Sequence, residues 1–195
     1  MTKKEHGGST ANALLGLLTL NPMSGYDIRA LIERSIGHFW SESYGQIYPA
    51  LKLLEKDGLV EKKTKQAAGR PEKNVFSITR EGRERLQSWL ELPPAPEVPR
   101  SELLLKVFFG HHAPADTNRR HIESFRAAHL EALKIYAAVE ERVEREESRD
   151  PQQPYWLMTL SFGRHRSAAF VAWADECLKK LGTLEKIRRK KTTKR

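Results

Sequence analysis

Tyr48, Lys52 and Lys56 are the first residues in this chain whose types and spacing could do chemistry. On a wheel turned 100° per residue, Ile47, Ala50, Leu51 and Leu54 share one arc and read as a buried face. Gly45, Tyr48, Pro49, Lys52 and Lys56 share the opposite arc. An outward tyrosine with two lysines, opened by a glycine that permits close approach, suits the major groove of duplex DNA. The lysines would hold phosphates, and the phenol would reach a phosphate or a base edge. An ordinary solvated helix face has the same composition, and the wheel alone leaves both readings open. Further on, Lys62, Lys63, Lys65, Arg70 and Lys73 form a second basic group around Gly69 and Pro71. Such an edge can meet phosphates, or it can simply discourage strand-to-strand aggregation.

The elements that position these groups are signalled locally. Thr10 to Leu20 reads as a short apolar helix stopped by Asn21-Pro22. Ser24 is placed as an N-cap with Asp27 three residues on, and Met23 and Ile28 are spaced for a hydrophobic staple around a helix that lasts until Gly37. Ser43 and Gln46 have capping-box spacing for the third helix, and Gly58 suits a left-handed C-cap. Pro49 removes a helical N–H, which predicts a kink or a helix that properly begins at Tyr48. Leu59 to Gln66 and Glu72 to Ile78 read as two strands about a turn, and Thr79 caps a fourth helix with Leu86, Trp89 and Leu90 on one side.

Pro93, Pro94, Pro96 and Pro99 place four prolines in seven residues, a stiff extended connector. Beyond it everything reads as helix. Glu102 to Phe109 is short and apolar, Pro114 opens a long helix with no breaker before Pro151, and a last helix runs from Tyr155 to about Leu181. Ile122, Phe125, His129, Ala132, Tyr136, Val139 and Val143 recur at alternating threes and fours, as do Trp156, Leu160, Gly163, Ser167, Phe170 and Ala174. That period calls for a coiled-coil-like partner helix.

Composition excludes several classes. No apolar run approaches a membrane span, Met1 to Ser9 is polar with no secretory signal, and Cys177 is the only cysteine, so neither a disulfide framework nor a thiolate cluster is expected. His111, His112, His121, His129 and His165 lack carboxylates or thiols at ligand spacing, and no metal or cofactor is expected. His129 reads as a register-setting or interface histidine. No nucleophile elbow, phosphate loop or zinc-protease motif appears, so an enzyme housed in the helical half is a weak rival. Trp156, Trp173, Phe162 and Phe170 could line a site for an aromatic ligand, although aromatics at helical spacing more often form core or interface. The 34 Lys and Arg against 25 Asp and Glu give a net charge of +9 and a pI near 9.7, which points to an anionic partner. The excess is uneven. Residues 179–195 hold nine basic residues and one acidic, whereas residues 1–92 hold 14 and 11.

Three stretches together resemble the PadR family of bacterial transcriptional regulators. They are Met23-Ser24-Gly25-Tyr26-Asp27-Ile28, the run from Gly45-Gln46-Ile47-Tyr48-Pro49 to Gly58-Leu59-Val60, and the run from Gly69-Arg70-Pro71 to Thr79-Arg80-Glu81-Gly82. Glu102 to Phe109 also resembles the start of that family's helical C-terminal half, in its longer subfamily of phenolic-acid-responsive repressors and virulence activators. The resemblance implies a mainly α chain with a small β-hairpin: a winged helix-turn-helix at 10–92, a linker at 93–99, an α-helical dimerisation domain at 100–182 and a basic tail at 183–195. It further implies a cytoplasmic, nucleoid-associated homodimer on double-stranded operator DNA, with two reading helices roughly 34 Å apart. Repression, with release by a small aromatic effector, is the expected mode; an activator and a protein–protein adaptor are the alternatives. The implied DNA contacts are Ser43, Gln46, Tyr48, Pro49, Lys52, Lys56, Gly69, Arg70 and Lys73. Ile122, Phe125, His129, Tyr136, Val139, Trp156, Leu160 and Phe170 are the expected dimer interface.

Overall fold

The computed structural model describes residues 3–37, 39–65, 73–96, 99–146 and 149–192, excepting the side chains of 3–7, 65, 115 and 185–192. The chain divides into two units, Met1–Pro96 and Glu97–Arg195. The first contains α1 (Lys3–Leu18), α2 (Gly25–Arg34), α3 (Tyr44–Lys56), β1 (Val60–Lys65), β2 (Lys73–Ile78) and α4 (Arg80–Leu90). The second contains α5 (Glu102–Phe108), a 3₁₀ turn (Gly110–His112), α6 (Ala115–Glu146) and α7 (Gln153–Thr192).

Caps and breakers set the boundaries in the first unit. At α2 the box closes both ways: Asp27 Oδ2 accepts from the Ser24 backbone N–H at 3.1 Å, and Ser24 Oγ accepts from the Asp27 N–H at 3.3 Å. After α3 the chain turns through Gly58 at φ +71, with Leu59 N–H donating to Leu54 O and Gly58 N–H to Glu55 O. This is the paired closure that a left-handed C-terminal residue permits. Thr79 Oγ then accepts from the Gly82 N–H at 3.0 Å, opening α4. Gly82 is required for space: a β-carbon there would collide with the Leu59 carbonyl oxygen.

One expectation changes and one alternative closes. α1 begins at Lys3, well ahead of Thr10, because its first turns carry no apolar residue for periodicity to register. α3 starts at Tyr44 and runs through Pro49. The Ser43–Gln46 cap nucleates it one turn upstream, so Pro49 costs one interior bond and not the helix start.

Leu14, Leu15 and Leu18 from α1, Ile28 and Ile32 from α2, and Ile47, Leu51 and Leu54 from α3 form one core with Val60 and Phe76 of the hairpin. β1 and β2 pair antiparallel from Val60↔Ile78 to Lys65↔Lys73. Met23 adds a bridge to Phe76, N–H to O at 3.0 and 2.8 Å, tying the segment before α2 to the hairpin.

In the second unit α6 and α7 form an antiparallel hairpin. Tyr136, Val143 and Leu160 are buried together, with Ala132, Val139, Trp156 and Leu157 against them. Nearer its open end, Phe125 meets Phe170 at 5.4 Å and Trp173 at 5.6 Å between ring centroids. α7 begins at Gln153, where Pro154 fits the first turn, and continues well past Leu181.

Candidate nucleic-acid interface

The outer arc of α3 is as the wheel expects. Ile47, Leu51 and Leu54 are buried, while Ser43, Gly45, Gln46, Tyr48, Pro49, Lys52 and Lys56 are exposed. Lys52 and Lys56 make no ion pair among the described residues, so their ammonium groups are available to an outside anion. Gln46 is partly committed: its Oε1 accepts from the Ser43 N–H at 3.0 Å and the Ser43 hydroxyl at 2.9 Å, leaving the amide NH₂ to act outward.

An arrangement that no local spacing announces fixes the aromatic part of this face. Tyr44 and Tyr48, one helical turn apart, stack at 6.1 Å and 26°. The Arg29 guanidinium from α2 covers Tyr44 at 4.3 Å, and Glu33 holds Arg29 at 2.8 Å. Tyr48 is 44% exposed.

Lys73, expected to contact DNA, has a protein partner. Its Nζ lies 2.8 Å from Asp27 Oδ2 and 3.0 Å from Oδ1. The hydrogen bond from that ammonium holds the Asp27 carboxyl below its ordinary value, against the opposing effect of partial burial. One carboxylate therefore caps α2 and moors the turn end of the hairpin, where β2 begins. Lys62 is paired likewise, with Glu55 at 3.4 Å. Gly69 and Arg70 lie outside the described residues.

Behind α3, Glu42 is buried and ties α1 to the loop entering that helix. Its Oε1 accepts from the Thr10 hydroxyl at 2.7 Å and the Trp40 indole N–H at 3.0 Å. This anchor is 32 residues apart in sequence, and no motif signals it.

The seam expected between two copies finds its partner at home. Of the eight interface candidates, Ile122, Tyr136 and Leu160 are buried within one chain, and Phe125, His129, Val139 and Trp156 pack inside the same hairpin. Phe170 packs there too, at 4.8 Å from His129, while keeping 37% exposure. A period of three and four specifies a stripe, and α7 of the same chain fills it. His129 Nδ1 meets the Ser167 hydroxyl at 3.1 Å, and burial, with the Arg166 guanidinium second, holds its imidazole below the ordinary value. The Phe170 and Trp173 rings pack onto Phe125 within the hairpin. Burial pushes the Cys177 thiol up, the reverse of what a nucleophile needs. Among the described residues no group of three His, Cys, Asp or Glu is placed to hold a metal ion, and no helix is long and apolar enough to cross a membrane.

A helix-turn-helix with an exposed second helix, followed by an antiparallel hairpin and joined to a helical unit, is a winged helix-turn-helix regulator in architecture. Residues 14–88 match the Transcriptional regulator PadR-like family and residues 99–182 the Virulence activator alpha C-term domain. The Negative transcriptional regulator PadR of Bacillus subtilis is 28% identical over 171 residues, which cover 85% of this chain and 93% of that one. That protein's structure in complex with operator DNA aligns at a TM-score of 0.75, with 26% identity over 88% of this chain and 98% of that one. Its structure with p-coumaric acid gives 0.69, with 25% identity over 88% and 97%. The Vibrio cholerae virulence activator AphA also gives 0.69, with 26% identity over 90% and 99%. The chain thus carries a domain of the PadR-like family of transcriptional regulators followed by a C-terminal domain of the virulence-activator type.

Proposed function

We propose that this chain binds duplex operator DNA as a two-fold dimer and represses transcription there, with no catalytic activity of its own. The observation that carries the reading is the outer face of α3, where Tyr48 stands exposed ahead of Lys52 and Lys56, which make no ion pair among the described residues. Tyr48 reads a base edge or an adjacent phosphate; Lys52 and Lys56 hold the backbone; Ser43, Gln46 and Pro49 border the groove. Gly69 and Arg70, between β1 and β2 in the sequence, serve as further DNA contacts, and Lys73 at the start of β2 exchanges Asp27 for a phosphate as DNA arrives. The protein resides in the cytoplasm, on the nucleoid. Its units are a reading domain at 10–92, a linker at 93–99, a helical domain at 100–182 and a basic extension beyond 182.

Because the α6–α7 seam is occupied internally, we place the dimer contact on the other face of α7. Tyr155, Met158 and Phe162 form an exposed stripe there at 69%, 66% and 58%, with Phe170 at its margin. By analogy with the relative solved with p-coumaric acid, the effector class is a small aromatic acid.

Fluorescence anisotropy with the chain's own upstream DNA and a scrambled duplex, across a salt series, tests the proposal. Tyr48→Ala is expected to lower preference for the operator, whereas Lys52→Gln lowers affinity for both duplexes and reduces the salt slope by about 1. Equal affinity of the unmodified chain for both duplexes, at every salt concentration, would overturn the reading and favour a protein–protein adaptor. A thermal-shift screen of phenolic acids tests the effector class.

A further inference from the structure

Gly25 opens α2 and is buried, although its neighbour Tyr26 is 64% exposed. Tyr48 of α3 covers it. A β-carbon built on Gly25 would lie 2.8 Å from Tyr48 Cε1, 2.9 Å from Cζ and 3.2 Å from the hydroxyl oxygen. The phenol end of the ring thus rests on a bare Cα with no space for one more carbon. Backbone conformation does not require this glycine: among the described residues only Gly58 has positive φ. Gly25 is there for the room it leaves.

One further contact holds the same ring, and a second backs that contact. Tyr44 stacks on Tyr48, and Tyr44 is itself covered by Arg29 from α2. α2 therefore supports both ends of an aromatic pair carried by α3. A tyrosine has two free torsions, and a half-exposed one with no seat samples several staggered rotamers. Each would carry the hydroxyl to a different place, whereas reading a base edge requires one hydrogen-bond geometry.

We propose that Gly25 is a specificity-determining position that acts through Tyr48, its bare Cα being the seat that aims the phenol at one base pair. The proposal rests on the reading of α3 as the DNA-reading helix. Gly25 is a positioning residue and touches no DNA in this role. Its replacement by alanine displaces the ring, the flexible partner, and leaves the helix intact, because alanine is the better helix former.

The test uses the full-length chain. A preferred duplex is selected from a random pool, and affinities for it and for a scrambled duplex are measured for wild type, Gly25→Ala, Tyr48→Ala and the double variant. Gly25→Ala is expected to reduce the specific-to-scrambled ratio roughly tenfold, while scrambled-duplex affinity, salt slope and melting temperature stay near wild type. In the Tyr48→Ala background it should change the ratio no further. An undiminished ratio for Gly25→Ala, or an equal further fall when Tyr48 is already absent, overturns the proposal. Should the variant fail to fold, NMR of the wild type decides: a cross-peak between the Tyr48 ring ε protons and Gly25 Hα is required, and its absence overturns the seat. A wild-type chain that selects no duplex at all defeats the DNA reading itself, a result distinct from a selected duplex that Gly25→Ala reads equally well.

Discussion

At the residue scale, side chains in this chain do more than one job, and pH can separate the jobs. His129 is held neutral inside the α6–α7 hairpin by burial, with the Arg166 guanidinium adding to it. Its folded-state pKa lies below the unfolded value of about 6.5. Its contribution to stability is therefore complete above that value and is lost as pH falls towards the folded pKa. Thermal melts from pH 8 down to pH 5 should show a decline that His129→Gln flattens; parallel curves for the two proteins would remove His129 as its source. Asp27 titrates in a lower window. Its lowered carboxyl contributes above the unfolded value of about 3.9 and ceases to as pH falls through its folded pKa. Asp27→Asn should thus weaken the unit near neutrality and have little further effect in strong acid. The capping role of Asp27 was legible from its spacing to Ser24. Its pairing with Lys73 was not, because 46 residues separate them and only the folded hairpin brings the ammonium to the helix start.

Elements were legible where one side chain or one glycine decides a boundary. Ser24, Ser43, Thr79 and Gly58 each act within a few residues of themselves, so spacing is enough to find them. At Pro49 two readings were open, and α3 takes the start that the Ser43–Gln46 box marks and not the later one at Tyr48. The α6 seam is a different case: its period specifies an apolar stripe and says nothing about which chain supplies the partner. Two glycines give a graded test of the α3-to-α4 segment. Gly58→Ala forces an L-residue into the left-handed region and should cost about 1–2 kcal/mol. Gly82→Ala drives a methyl into the Leu59 carbonyl, backbone that cannot step aside, and should cost about 3 kcal/mol. Urea midpoints at constant slope would rank them; Gly82→Ala as mild as Gly58→Ala would mean that α4 packs less closely here than described. The Asp27–Lys73 link also predicts rescue. Lys73→Glu should loosen the turn end of the hairpin by setting two carboxylates together, and adding Asp27→Lys should restore part of the loss.

For the whole molecule, the two halves differ in what their charge and surface are for. The reading unit is nearly balanced in charge and relies on a few placed cations. The basic surplus lies in the last turns of α7 and beyond it, outside the stretch that matches the family domain. Fold class and reading helix could be argued from one sequence because a winged helix is built from short local signals. The contact between copies could not, because it depends on what a folded subunit leaves uncovered. Phe162→Glu should therefore shift the sedimentation profile towards monomer while far-ultraviolet circular dichroism stays unchanged; a dimer indifferent to this charge would move the contact elsewhere. The α6–α7 hairpin carries one more implication, for assembly in time. Since α6 finds its partner further along the same polypeptide, a nascent subunit is expected to complete its C-terminal half once α7 has left the ribosome, before it meets a second chain. Subunits then meet as finished bodies. Exchange between old and new copies should proceed without unfolding, so mixed dimers of a wild-type and a defective protein will form readily in a cell that makes both.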